Sequence, residues 1–274
     1  MKTVDNGRWS VVSLFLINRL QRNSRRRGVA ALMLFAFYLA LFAFANAQSL
    51  PAALPQAVGM NAEKLRQIDA LIERDIADKK LPGAVVVVGH KGKIVYRKAY
   101  GNRSHAPSVE KMTVDTIFDV ASLTKPVATA TSIMILVEQG KLRLNDTVGK
   151  FIPEIQEENA KRVTIQQLLT HTSGYQPDFD LKEKWTGRRG MLQALYKEKL
   201  RSAPGVRFVY SDIGFIVLGE IIERIRSEGD LSVDLSLAAK SFIFAPLKMN
   251  VSEFINLSAL KSNPNFAPTE NIKG

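Results

Sequence analysis

The apolar positions of this chain fall into helical stripes, two short strand-like runs and one long run near the N-terminus. Leu65, Ile68, Leu71 and Ile72 recur at helical spacing and predict a helix from Asn61 to Ala77, with Asn61 as N-cap and Pro82-Gly83 beyond its end. Ala84-Val85-Val86-Val87-Val88 and Ile94-Val95-Tyr96-Arg97-Lys98-Ala99 predict two strands joined by a turn at His90-Lys91-Gly92. The first strand is apolar throughout, so both of its faces are expected to be covered. Residues 101–116 are mostly polar and read as loop. The longest apolar helical run of the body follows, from Ser122 through Ile133-Met134-Ile135-Leu136-Val137 to Gly140. It is apolar on nearly every face, which predicts a helix buried in the core.

Lys141–Pro153 reads as irregular. Thr164-Ile165-Gln166-Gln167 has the form of a capping box and opens a short helix with Leu168 and Leu169. That helix ends in the turn-rich His171-Thr172-Ser173-Gly174-Tyr175. Residues 190–200 suit another helix. Pro204-Gly205 turns the chain into an extended Val206–Tyr210. Ser211 caps a second strongly apolar helix, carrying Ile216, Val217, Leu218, Ile221, Ile222 and Ile225. Residues 232–242 read as helical, and no internal repeat is evident.

The N-terminus has a different logic. Arg22, Arg25, Arg26 and Arg27 precede an apolar run from Val29 to Ala45, and Ala45-Asn46-Ala47 fits a cleavage site. Residues 1–47 therefore read as a secretory signal peptide, with Gln48 the first mature residue. The run is longer than a usual signal core, so an uncleaved membrane anchor through residues 29–45 is the alternative. Either way the remainder is expected to be exported, to the periplasm or the cell exterior. Residues 48–59, with Pro51 and Pro55, read as an extended leader, and 60–274 as the functional domain.

Composition narrows the classes. The 274 residues contain no cysteine, which excludes disulfides and thiolate metal sites. The formal charge of +12 is partly N-terminal: residues past 47 hold 31 of the 38 Lys/Arg and 25 of the 26 Asp/Glu, without a long basic block. Nucleic-acid binding is not expected. No His/Asp/Glu cluster has metal-ligand spacing, so no metal is expected. A Gly-x-Ser-x-Gly elbow and a supported Ser-His-Asp triad are also absent.

Three Ser-x-x-Lys pairs occur, at Ser108/Lys111, Ser122/Lys125 and Ser258/Lys261, and only Ser122 opens a long apolar helix. Three residues apart on a helix, the Ser122 hydroxyl and Lys125 amine share a face. A buried lysine loses its charge readily, and a neutral one can take the serine proton to make a nucleophile. The alternative is that Ser122 only caps the helix. Tyr210-Ser211-Asp212 sits where the extended segment meets the second apolar helix. A phenol beside a lysine ammonium can titrate below about 10 and serve as a general base. Tyr100-Gly101-Asn102 matches a related pattern, but it precedes the nucleophile and reads as a strand-end aromatic.

Taken together, the Ser122/Lys125 helix head, Leu169-Thr170-His171-Thr172-Ser173-Gly174 and Tyr210-Ser211-Asp212, 88 residues after Ser122, resemble the serine β-lactamase-like family. That family comprises class C β-lactamases, D-alanyl-D-alanine carboxypeptidases and related esterases. Gly140-Lys141-Leu142 with Asn145-Asp146, Phe151-Ile152-Pro153 and Pro246-Leu247-Lys248-Met249 support the likeness, which covers roughly residues 60–274. It implies an α+β fold of the β-lactamase/penicillin-binding-protein type, a helical region beside an antiparallel sheet. It also implies an acylated nucleophile at Ser122, activation by Lys125 and proton transfer by Tyr210. The backbone N–H of Ser122 would form half of an oxyanion hole. Asp212 and His171 would line the substrate site, His171 through a loop that shapes its wall. No cofactor or metal is implied. The implied partner is a small-molecule or peptidoglycan-like substrate, with esterase or peptidase favoured over a dedicated β-lactamase.

Two departures follow. Asp212 stands where relatives often carry Asn, and it either pairs with Lys125 and holds it charged or only orients it. The Lys/His-x-Gly motif that relatives place on a late core strand is not reached by Gly274. The sheet is therefore expected to be incomplete. The alternative to an exported serine hydrolase is a catalytically incomplete, truncated homologue or a binding module of the same fold.

Overall fold

A helix between Ala62 and Ala77 (α1) opens the folded part, and its start is set by Asn61, whose side chain accepts from the Lys64 N–H at 3.1 Å. The computed structural model describes residues 50–180, 184–227, 234–255 and 265–269, all within the unit Leu50–Gly274. The stretch 1–47, on which the signal and anchor readings rest, lies outside the described residues, as do positions 232–233. Among the described residues no helix is long and apolar enough to cross a membrane.

α1 turns Leu65, Ile68 and Ile72 inward, while Leu71 of the expected stripe is exposed. β1 (Gly83–His90) and β2 (Lys93–Ser104) form the expected antiparallel hairpin, turned by Lys91 and Gly92 at φ +50° and +70°. A bulge between Val88 and Gly89 shifts the register. Both strands run longer than expected. β2 extends into the supposed loop and pairs there with β3 (Glu110–Lys111), giving a three-stranded sheet in the order β1-β2-β3. β1 is not covered on both faces: Val87 is exposed, and the other valines are only half-buried. The leader is not simply extended either. Ala52 bridges Ile94 on the free side of early β2, and Pro55–Val58 forms a 3₁₀ turn that buries Val58. Asp69 of α1 accepts from Tyr96 (3.0 Å), Tyr100 (2.8 Å) and Lys98, which ties α1 to β2. Tyr100, the second tyrosine of the pattern search, is thus consumed in structure.

The run from Ser122 is helical but not one helix. A 3₁₀ turn (Ala121–Leu123) leads into a π turn (Lys125–Ala130) and then α2 (Thr131–Glu138). It is not buried all round. Ser132, Ile133 and Leu136 face the core, whereas Leu123, Val127 and Met134 are exposed. The stretch expected to be irregular after Gly140 contains α3 (Val148–Phe151), and α4 (Glu158–Lys161) was also not anticipated. α5 (Ile165–Leu169) opens with the full capping box: Gln167 N–H to Thr164 Oγ1 at 3.2 Å and Thr164 N–H to Gln167 Oε1 at 3.0 Å. Then come α6 (Gly187–Lys197), α7 (Asp212–Ser227) and α8 (Leu235–Ala239), the last continued by a π turn over Lys240–Phe244.

The main core is helical. Ile213, Val217, Leu218, Ile221 and Ile222 of α7 are fully buried against Ile133 and Leu136 of α2, Ile165 and Leu168 of α5, and Leu195 of α6. Two arginines brace its rim. Arg224 of α7 donates to Glu220 (2.7 Å), to both oxygens of Glu154 (2.9 and 3.0 Å), to the Phe151 carbonyl (3.1 Å) and to the Tyr196 hydroxyl (2.8 Å). Arg188 of α6 reaches Glu220 at 2.9 Å and also contacts Glu223. Near the C-terminus, Asn265–Ala267 lies parallel to Ile117, with Ile117 N–H to Asn265 O and Ala267 N–H to Ile117 O both 2.9 Å. This pairing sits just before the Ser122 turn.

Candidate active site

Ser122 does not cap a helix; its 3₁₀ turn is preceded by Val120 at the cap position, with no side-chain cap bond. Its entry is strained instead. Ala121 has φ +44°, the left-handed region where a Cβ is disfavoured. Asp119 holds that conformation, because its Oδ1 accepts from the Ala121 N–H at 2.8 Å. Asp119 was missed from sequence. Its signal was an Asx-type Asp two residues before the bend, a common turn device. The consequence is an exposed Ser122 with its hydroxyl turned toward Lys125, whose Nζ lies 3.3 Å away.

Lys125 points between α7 and the segment before it. Its Nζ lies 2.5 Å from Asp212 Oδ1 and 4.9 Å above the Tyr210 ring, with the Phe215 ring at 5.9 Å. Of the two roles left open for Asp212, the structure therefore gives the ion pair. Burial works against the ammonium, but the Asp212 and Tyr210 hydrogen bonds outweigh it and hold Lys125 above its ordinary range. That pairing works against a neutral, proton-accepting lysine. Lys125 is largely covered, and it is the adjacent carboxylate that favours the charged amine. The Tyr210 phenol moves the other way. Hydrogen bonds from Ser122 and then from Lys125 stabilise the phenolate and lower its titration below the ordinary value.

Tyr210 itself is presented by the segment between the 201–205 turn and α7, which Val209 N–H ties to the His171 carbonyl at 2.8 Å. Ser211 is fully buried; its Oγ donates to Gln176 O at 2.6 Å and accepts from Gly214 N–H at 3.2 Å. Asp212 N–H donates to Pro177 O at 2.7 Å. The loop after α5 supplies His171, which lies against Tyr210 with ring centroids 4.5 Å apart. All five residues expected from sequence thus converge: Ser122, Lys125, Tyr210, Asp212 and His171. Phe215 and Phe208 complete the aromatic surround of His171 and were not anticipated. Each is apolar and next to a motif, which left no chemical signal to single it out. Among the described residues no group of three His, Asp or Glu side chains is placed to hold a metal.

The same loop depends on Gly174. Its φ is +90°, and a Cβ there would stand 2.2 Å from Ser202 O. Arg201 N–H donates to Gly174 O (2.8 Å) and Gly205 N–H to Thr172 O (2.7 Å), so the 201–205 turn is pressed onto the loop. Gly174→Ala must break that contact as well as adopt a disfavoured backbone. The expected cost is about 3 kcal/mol, read by urea denaturation; a loss under about 0.5 kcal/mol would contradict the close approach.

Known proteins resemble this chain in sequence and in fold. The profile of the Beta-lactamase family matches residues 68–270. An N-acetylmuramyl-L-alanine amidase of Bacillus subtilis (strain 168) is 31% identical over 231 residues, 77% of this chain and 51% of that protein. Protein flp of Staphylococcus aureus (strain COL) is 32% identical over 170 residues, 60% of this chain and 34% of that protein. Among solved structures, an octameric penicillin-binding protein homologue from Pyrococcus abyssi superimposes with a TM-score of 0.63 at 28% identity, over 74% of this chain and 47% of that one. A class C beta-lactamase gives 0.62 at 27%, over 76% and 55%. The expected α+β arrangement of helices beside a small antiparallel sheet is the fold these structures share. The chain spans about half the length of the first curated relative and about a third of the second.

Proposed function

Because the chain belongs to the Beta-lactamase family, we propose that it is a serine hydrolase that forms an acyl-enzyme on Ser122 with an ester, amide or β-lactam carbonyl. One observation carries this reading. The Ser122 hydroxyl lies 3.3 Å from the Lys125 ammonium, which itself stands 4.9 Å above the Tyr210 ring, and both Ser122 and Lys125 lower the titration of that phenol. In this scheme Tyr210, as phenolate, takes the proton of Ser122 while Oγ adds to the substrate carbonyl. The tetrahedral intermediate then expels its alcohol or amine, which leaves with the proton from Tyr210. A water repeats the sequence: Tyr210 takes its proton, the acyl–Oγ bond breaks, and Ser122 recovers its hydrogen. Lys125 stays an ammonium throughout, anchored by Asp212, and lowers the energy of the phenolate. The N–H of Ser122 is the local donor for the developing oxyanion.

The substrate class is proposed from the relatives. The amidase name of the Bacillus subtilis protein supports amides of muramyl peptides as the first compounds to screen, with simple esters second. Export is proposed on the arginine-flanked apolar run ending at Ala47.

Intact mass after exposure to a fluorophosphonate tests the reading, with Ser122→Ala as control. One adduct on the wild type and none on the variant is expected. A folded wild type without an adduct would refute the hydrolase and support a binding module of the same fold.

A further inference from the structure

His171 occupies a position where glycine is the usual residue. α5 ends in a Schellman arrangement: His171 N–H donates to Leu168 O (3.2 Å) and Thr172 N–H to Gln167 O (2.8 Å). The residue at the turn must be left-handed, and His171 has φ +57°. A side chain tolerated there against its backbone cost asks for a compensating role.

That role is visible in what His171 touches. Its carbonyl oxygen accepts from Val209 N–H at 2.8 Å, and its Nδ1 accepts from Ser211 N–H at 3.1 Å. One residue thus holds the backbone on both sides of Tyr210. Its ring also lies between Tyr210 (4.5 Å, 31°) and Phe215 (5.0 Å, 34°), with Phe208 at its edge (5.7 Å, 77°). Since Nδ1 accepts, the ring is neutral and carries its proton on Nε2. An imidazolium has donors at both nitrogens and would set an N–H against the Ser211 N–H.

We propose that neutral His171 is the positioning residue for Tyr210, and that a second proton on its ring releases the 209–211 backbone and silences the site. The inference rests on the hydrolase reading for its link to catalysis. The titratable groups that face the ring are Lys125, Tyr210 and Asp212. Burial first and the Lys125 ammonium second disfavour the extra proton, and Asp212 opposes them only in part. The sign follows. The ring's folded titration lies below the ordinary 6.5, so its bond to Ser211 is intact near neutral pH and is lost as pH falls from 6.5 through that lowered value.

Three variants of the full chain separate positioning from capping. His171→Gly relieves the left-handed strain but removes the acceptor; His171→Phe keeps a ring without one. His171→Asn tolerates the backbone and keeps an oxygen near the Nδ1 position, without titrating. The readouts are the fluorophosphonate labelling rate across pH, the melting temperature and the ¹⁵N shifts of the His171 ring. We expect His171→Gly to melt no lower than wild type yet label at least about tenfold more slowly. His171→Phe should also be slow. His171→Asn should recover part of the rate and lose the acid limb that the wild type shows at the NMR titration point of His171. Labelling of His171→Gly at the wild-type rate would overturn the proposal, as would an acid limb unchanged in His171→Asn. If the wild type never labels, the hydrolase reading has failed. The positioning claim then stands or falls on whether protonating His171 shifts the Ser211 amide and the Tyr210 ring resonances together.

Discussion

Tyr210→Phe should label with a fluorophosphonate about 10²- to 10⁴-fold more slowly than wild type, the usual range for removing a positioned general base. The variant keeps the ring that packs on His171 and under Lys125 and deletes only the oxygen. Its melting temperature should therefore stay close to that of wild type. The pH profile adds a second signature. The active form is the phenolate, so the wild-type rate should climb with pH and level off at a point below the ordinary value of about 10, as the Ser122 and Lys125 contacts dictate. In Tyr210→Phe that alkaline climb should vanish. A variant within a few-fold of wild type, still climbing with pH, would move the base to Lys125, despite its ion pair with Asp212 at 2.5 Å.

Arg224→Ala is expected to cost about 2–3 kcal/mol of stability, from several charge-assisted hydrogen bonds lost together while Arg188 still pairs Glu220. Glu220 is 7% exposed and shares its two oxygens between Arg224 and Arg188. Arg224 also closes contacts to Glu154, the Phe151 carbonyl and the Tyr196 hydroxyl, so one truncation loosens α3 from α7 and weakens the tie to α6 that Arg188 still holds. Chemical denaturation of the single variant, of Glu220→Leu and of the pair Arg224→Met/Glu220→Leu checks the mechanism. The pair should lose less than the sum of its singles, because both singles remove the same Arg224–Glu220 bond. Additive losses, or a single-variant cost below about 1 kcal/mol, would mean that the network is a solvated surface array.

The helical half was legible in sequence because its signals are local. Asn61, the Thr164/Gln167 box and Ser211 each start a helix by a bond to a backbone N–H within three residues, and each stands where its side chain says it should. The site was legible for a different reason. Serine, lysine, tyrosine and aspartate in that order carry chemistry that few other patterns share. What stayed hidden depends on contacts distant in sequence. β2 reaches Ser104 only because β3 lies alongside it, and Asn265–Ala267 pairs with Ile117 across nearly 150 residues of sequence. Hydropathy of the Ser122 run could not report that Leu123, Val127 and Met134 face outward, since an apolar residue reads alike whether covered or not. Which of its two named roles Asp212 takes could not be read from sequence either, because that is decided by where the carboxylate ends up.

The π turn at Lys125–Ala130 decides where along this helix a change of chain length would reach the site. Within it the Thr131 hydroxyl donates to the Pro126 carbonyl at 2.8 Å, filling an acceptor that a regular helix would serve with a backbone N–H. A π turn holds one residue more than the α turn it replaces. Deleting a single codon between 127 and 130 would let that turn close to a regular pitch with little change of phase, whereas a deletion within α2 would rotate everything upstream by about 100° relative to the rest of that helix. Ser122 and Lys125 would move together, their mutual spacing preserved, and both would leave Tyr210 and Asp212 behind. The constellation therefore tolerates a change of length by one in the π turn but not within α2.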